Sequence, residues 1–221
     1  MDARDAAGRL AEQMRDDLTR GVFMPRERLV ESELVQRYSC ARAAVREALV
    51  LLSADGLVER LPNRGAHVRG LTVEEAIEIA EVRLALESLC SSYAALRATE
   101  EDRVALSRHV RAMADAVASD SPHRYRSESV EFHECLMRIS RHESMTRELR
   151  SIRRHNLQRH FPAAFEAGSF SDSLNDHVTI ADAILARDGV RAHELMTEHL
   201  GRIIAMLTAY RSTLGQRLPL E

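Results

Sequence analysis

Residues Tyr38 to Leu52, YSCARAAVREALVLL, constrain the fold more than any other stretch of the chain. Val45, Ala48, Leu49 and Leu52 recur at i, i+3, i+4 and i+7, the spacing of one buried helical face. Arg42 and Arg46 are four residues apart, so they project together beside that face. Ala43 and Ala44 between them are too short to obstruct an approaching surface. Such a helix suits the major groove of DNA, because the planar guanidinium fork reads guanine O6 and N7 or clamps a phosphate. The competing reading is two solvated surface arginines, paired to Glu47 or Asp55. The elements on either side decide between them.

Residues 6–20 read as an amphipathic helix with Leu10, Met14 and Leu18 on one face, stopped by Gly21, after which Pro25 keeps the chain extended. A short helix is predicted over about Glu31 to Tyr38, a tight connection over Ser39 to Ala41, and then the arginine-bearing helix to about Asp55, with Gly56 as its stop. Leu57–Leu61 and Ala66–Arg69 read as two short strands joined by the turn PNRG. Three helices followed by a hairpin is the order of a winged helix-turn-helix. The second helix crosses the DNA backbone, the third enters the groove, and the wing tip at Asn63, Arg64 and Gly65 offers an amide, a charge and a close backbone.

After Gly70 the pattern becomes wholly helical. TVEE (Thr72–Glu75) and TEED (Thr99–Asp102) read as N-terminal caps, and Ser121-Pro122 as a third helix start. A helix of some 26 residues is predicted to about Ala98, with others at about 124–140, 143–165, 172–187 and 190–213. The expected fold is therefore mainly α. A winged helix-turn-helix over residues 1–70 precedes an antiparallel helical bundle of six or seven helices over residues 71–221.

Composition excludes several classes. A hydrophobic content of 45% supports a packed core, and aromatic residues are only 4% with no Trp. The net charge of −3 excludes a polyelectrolyte that binds nucleic acid along its whole length. Residues 37–69 nevertheless carry six Arg against three acids, opposite in sign to the whole. All 31 basic residues are Arg. Cys40, Cys90 and Cys135 are far apart without a CxxC pair, which fits a reducing cytoplasm. No apolar run reads as a signal peptide or a membrane span, so a cytoplasmic protein with no membrane partner is expected.

The run from Gly21 to Val68 resembles the DNA-binding domain of the GntR family of bacterial transcription regulators. That family's recognition helix reads Ser-Arg-x-x-Val-Arg-Glu-Ala-Leu and is followed by an Asn-Arg-Gly wing. Arg42, Val45, Arg46, Glu47, Ala48 and Leu49 match, as do Asn63, Arg64 and Gly65. The resemblance implies that Arg42 and Arg46 lead the DNA contacts, with Ala43 and Ala44 in the groove-facing slots. It adds Ser32 on the preceding helix, and the wing residues Asn63, Arg64 and Gly65. The departures are Ala41 where the family has Ser, Pro25-Arg26 for Pro-Gly, and Ala43-Ala44 for Thr-Pro. Ser39 is the alternative cap for the recognition helix.

In the second domain, His177 and His199 each lie 11 residues from Asp188. If Asp188-Gly189 turns a helical hairpin, each His sits about 16 Å from the turn, level with the other on neighbouring helices. His133, in SVEFHECLMRI, is a third candidate. Imidazole suits Zn, Ni and related divalent ions, although a single His is more often an ordinary core or surface residue.

SVEFH, DHVTIADAI and MTEHL are similar to signatures of the FCD ligand-binding domain of the FadR subgroup. Metal-binding members of that subgroup hold a divalent cation with one Asp and three His. His133, His177 and His199 match the three His, and Ser129 stands where the family has Asp. The resemblance therefore implies a site with one extra open position for water or effector. EVRLALES matches the family's Arg-x-x-Leu-Glu, which makes Arg83 the candidate for an effector carboxylate. A salt bridge to Glu87 at i+4 is the alternative. Ser129 and Arg153 join Arg83 as candidate effector-binding residues, and Arg154 and His155 lie nearby in sequence.

These readings imply a homodimeric regulator, not an enzyme, that acts as a repressor. It would be released from an inverted-repeat operator in double-stranded DNA by a small organic acid, with a carboxylate bound near a Zn or Ni site. One alternative is the same regulator with a metal-free pocket for an apolar or acyl ligand. Another is a metal-dependent hydrolase fused to a DNA-binding domain, against which no acid is clearly placed as general base.

Overall fold

A computed structural model describes residues 3–61, 65–166 and 170–216. The chain divides into two compact units. One comprises residues 1–72 together with 153–162, and the other comprises 73–152 and 163–221.

The first unit opens with α1 (Ala3–Arg20). Its Leu10, Ala11, Met14 and Leu18 are buried on one face against α3 (Arg42–Ala54). Gly21 ends α1 at φ +74°, a left-handed conformation open to glycine and costly for a β-carbon. Arg15 on α1 donates to Asp55, the residue that caps the C-terminus of α3. Tyr38, the last residue of α2 (Glu31–Tyr38), donates its hydroxyl to Asp17 at 2.7 Å. Val45, Ala48, Leu49 and Leu52 form the buried face of α3 that their spacing predicts.

The wing is a three-stranded antiparallel sheet of order β1-β3-β2, made of β1 (Arg28–Leu29), β2 (Val58–Leu61) and β3 (Gly65–Val68). Val58 faces Val68 and Leu61 faces Gly65 across the hairpin, while Leu29 pairs with Ala66. Ala66 and Val68 are buried, so β3 alternates inward and outward as a half-buried strand does. Sequence reading predicts only two of these strands. Two-residue β1 is too short for periodicity to reveal, and it exists because β3 offers it a hydrogen-bonding edge.

A second correction concerns Ser39. It sits at φ 49°, ψ 46° as the left-handed C-cap of α2 and therefore does not cap the next helix. Ala41 takes the N-cap position of α3 and makes no side-chain cap bond.

The second unit is all helical. Its long members are α4 (Val73–Arg97), α5 (Glu100–Ala118), α6 (Pro122–Ser140), α7 (Glu143–Arg153), α10 (Phe170–Leu185) and α11 (Gly189–Gln216). The longest two, α4 and α11, pack together, and α10 packs on α4, α5 and α11. Thr99 and Asp102 form the expected capping box at the start of α5, and Pro122 opens α6 in the first helical turn. Phe132, Leu136, Ile139, Leu149, Ile180, Ile184 and Met196 lie in one core.

The single helix expected over 143–165 is broken. It becomes α7, a one-turn α8 (Leu157–His160) and α9 (Pro162–Glu166). Asn156 leaves helical geometry at ψ 98°, and Phe161 does so at φ −133°, ψ 57°. The second break has a local cause, because a proline ring clashes with a helical residue before it. Among the described residues, no helix is long and apolar enough to cross a membrane.

Candidate nucleic-acid interface and candidate metal centre

On α3, Arg42, Ala43 and Arg46 are exposed and Ala44 is half-buried. The arginines stand clear of the buried face, as their spacing predicts. Arg46 is paired, with neither Glu47 nor Asp55 but with Glu31 at the start of α2. Its Nε donates to both carboxylate oxygens, at 2.9 and 3.1 Å. The pair links the two helices of the helix-turn-helix and restricts where the guanidinium points. No local spacing would reveal it, since the residues are 15 apart. Ser32 is exposed on α2. Gly65 opens β3 at φ +83°, where a side chain would be strained. Asn63 and Arg64 lie outside the described residues.

In the second unit, His133 from α6, His177 from α10 and His199 from α11 come together. Their ring centroids are 4.8 to 5.8 Å apart, and one ligating nitrogen from each lies within 4.8 Å of the others. The His177–His199 ring separation of 4.8 Å is the level arrangement that the equal distances from Asp188 predict. All three residues are buried, at 5%, 1% and 6% exposure.

The outer edges of the rings carry further partners. His133 Nδ1 donates to Glu87 Oε2 on α4 at 2.8 Å. His177 Nδ1 donates to the Ser173 carbonyl at 2.6 Å, one turn earlier on α10. His199 Nδ1 donates to Asp176 Oδ2 at 3.0 Å. Carboxylates and carbonyls can only accept, so these contacts place a proton on Nδ1 in each ring. The Nε2 atoms of His133 and His177 face each other at 3.4 Å. Three clustered imidazoles whose outer edges are tied to acceptors match the hydrogen-bond pattern around a His-ligated metal site.

Each carboxylate is matched by an arginine. Arg83 Nε donates to Glu87 Oε1 at 2.7 Å, with side chains 11% and 4% exposed. The i+4 salt bridge is thus the contact Arg83 makes. Arg202 donates to Asp176 from the solvent side. Burial pushes the Asp176 carboxyl up, but hydrogen bonds from His199 and Arg202 outweigh it and hold the group below its ordinary value.

Ser129, one turn before His133, lies with Oγ 3.3 Å from His177 Nε2 and so faces the cluster. Tyr125, another turn back, donates to Ser173 Oγ at 2.7 Å, and burial raises its phenol to about 12. Phe132 packs edge-on against His177 and closes one side with apolar surface. Arg153 ends α7 and by its contacts belongs to the first unit, while Arg154 lies 3.8 Å from Asp55.

The sequence reading named Glu87 only as the alternative partner of Arg83, not as the partner of His133, and it missed Asp176, Ser173 and Tyr125. Ser173 was detectable as the i−4 neighbour of His177. Glu87 and Asp176 act on rings from other helices, which no local pattern records.

Comparison with known proteins identifies both domains. Residues 6–68 match the family described as bacterial regulatory proteins, gntR family, and residues 78–202 match the FCD domain. The chain is 27% identical over 206 residues to the HTH-type transcriptional regulator BphR of Paraburkholderia xenovorans, covering 90% of this chain and 84% of that one. It is 27% identical over 198 residues to the HTH-type transcriptional repressor GlaR of Escherichia coli, covering 85% and 89%. Among solved structures, E. coli McbR/YncC superposes with a TM-score of 0.80 at 18% identity, over 93% of this chain and 98% of that one, which establishes the shared fold. The chain belongs to the GntR family of bacterial transcription regulators, in the group that joins a DNA-binding helix-turn-helix to an effector-binding FCD domain.

Proposed function

We propose that the protein is a homodimeric cytoplasmic repressor whose helical domain holds a divalent metal and releases operator DNA when a small carboxylate binds there. The observation that carries the metal reading is the tethering of all three Nδ1 atoms to acceptors. Those tethers fix the ring orientations so that one nitrogen of each imidazole lies within 4.8 Å of the other two, close enough to share one ion. His133, His177 and His199 would hold the ion through Nε2, which suits Zn or Ni. Bound there, the ion would supply an electrophilic centre for an organic acid. Ser129 borders the same space, and the Nη groups of Arg83 make no hydrogen bond with the described residues, so they suit a ligand carboxylate.

On DNA, Arg42 and Arg46 would contact bases or phosphates, with Ser32 and the wing residues Asn63, Arg64 and Gly65 beside them. Glu31 would act as a positioning residue that aims Arg46. Repression is favoured by relatives named as repressors. Homodimerisation is supported by Val82, Leu89 and Leu96, large apolar residues exposed at seven-residue intervals along α4.

The deciding experiment is elemental analysis of untagged protein, purified without chelator, alongside His177→Ala. About one equivalent of Zn or Ni per chain, lost in the variant, is expected from a single three-ligand site. No metal in the wild type, even after dialysis against these ions, would overturn the metal reading and turn the effector search to larger, apolar ligands.

A further inference from the structure

Residues 153–162 come from the middle of the helical part of the chain, yet by their contacts they belong to the DNA-binding unit. The preceding α7 buries Met145 and Leu149 in the helical core and ends at Arg153. The helix then breaks at Asn156 and again at Phe161, with the one-turn α8 between the breaks. We infer that this segment is a strap. It is a second connection from the helical domain to the DNA-binding head, beside the covalent linker at residues 69–72, and its closing and opening set how freely the head moves.

Three contacts support the strap. The Leu71 amide, in the linker itself, donates to His160 Nδ1 at 3.2 Å across 89 residues of sequence. Arg159 donates to the carbonyl of Arg20 in the last turn of α1, where the helical ladder leaves carbonyls without partners. Gly21 follows, and a β-carbon there would fall on the Arg159 guanidinium. Arg154 Nη1 lies 3.8 Å from Oδ1 of Asp55, the C-cap of α3, whose other oxygen accepts from Arg15. Leu157 and Phe161 are buried, at 3% and 7% exposure. Asn156 and Arg159 line one cavity with Leu18, Leu57 and Val68, three residues of the winged-helix core. An ordinary surface connection keeps its polar groups in water, whereas this one directs them to the linker, α1 and α3. Because one short segment grips all three, its contacts should form and break together. A shift of α7 in the helical core then has a route to the end of α3, through Arg154 and Asp55, that does not run through residues 69–72.

The test is amide hydrogen exchange of the full-length protein, read peptide by peptide in wild type, Arg159→Ala and Leu157→Ser. Neither substitution removes the His160 acceptor of the Leu71 amide. Both are nevertheless expected to speed exchange of residues 69–72 and of the last turn of α1 by about tenfold, while α6, α10 and α11 keep wild-type rates. Arg159→Ala leaves Leu157 in place and keeps the inference testable if Leu157→Ser does not fold. Wild-type exchange at residues 69–72 in the folded variants overturns the inference, because the contacts would then break independently. Exchange that speeds equally in α6, α10 and α11 also overturns it, because the segment would then be an ordinary part of the helical fold.

Discussion

Glu87 joins Arg83 to His133, and replacing it separates two roles. Glu87→Leu removes a carboxylate that is 4% exposed and leaves the Arg83 guanidinium, 11% exposed, without its partner. Removing one member of a buried ion pair costs about 3–5 kcal/mol. Arg83 keeps some solvent, so the lower end applies, and about 3 kcal/mol corresponds to a Tm fall of roughly 6–12 °C in a chain of this size. Arg83→Met combined with Glu87→Leu replaces both charges by apolar groups and is expected to recover all but about 1 kcal/mol. Metal affinity should behave differently. Both variants lack the acceptor for His133 Nδ1, so both should lose about 10- to 100-fold in affinity. The assays are thermal unfolding by circular dichroism and competition with a chromophoric chelator. The pairing argument fails if Glu87→Leu costs less than about 1 kcal/mol or if the double variant is no more stable than the single. Recovery of metal affinity together with stability would refute the role of Glu87 in orienting His133.

Other consequences follow from single contacts. Burial pushes the Asp102 carboxyl up, but hydrogen bonds from Thr99 and Arg141 hold it below its ordinary value of 3.8. The stability it adds is therefore present above pH 3.8 and lost as pH falls through the lower folded value. Asp102→Asn should cost about 1 kcal/mol near neutrality, a gap in denaturant midpoint that closes in acid. Leu89→Arg places a charge within the exposed apolar row of α4, and sedimentation velocity should show a shift from dimer to monomer. Arg42→Ala should weaken operator binding by about 1–3 kcal/mol in fluorescence anisotropy and relax the preference at one base position. Glu31→Gln should leave the fold intact and weaken operator binding less than Arg46→Ala does, because it loosens the guanidinium without removing it.

Much of the architecture was legible because it is written in short-range terms. The buried face of α3 follows from spacings of three and four residues. The α5 capping box is contained within four residues, and Gly21 marks the end of α1 by the conformation it alone adopts cheaply. The level placement of His177 and His199 followed from equal distances to one turn, since helical rise is constant. Even the break at Phe161-Pro162 was available locally, although the apolar spacing across 143–165 outweighed it in the sequence reading.

What the sequence by itself determined, then, is a winged helix-turn-helix followed by a helical domain, and which three imidazoles had the type and spacing to meet. Tertiary structure decided what those imidazoles became. His133 and His177 are 44 residues apart, and Ser88 on α4 bonds Thr197 on α11 across 109. Periodicity carries no information over such separations, because it reports only which face of an element is apolar. Packing of α4 against α6 and of α10 against α11 brought Glu87 and Asp176 to the outer edges of His133 and His199. The Arg83–Glu87 pair is an i+4 contact within α4 that spacing alone offered, whereas packing of α6 against α10 brought Ser129 to His177. The hydrogen-bond pattern and charge balance around the cluster arise from those contacts, so they exist only once the helices have met.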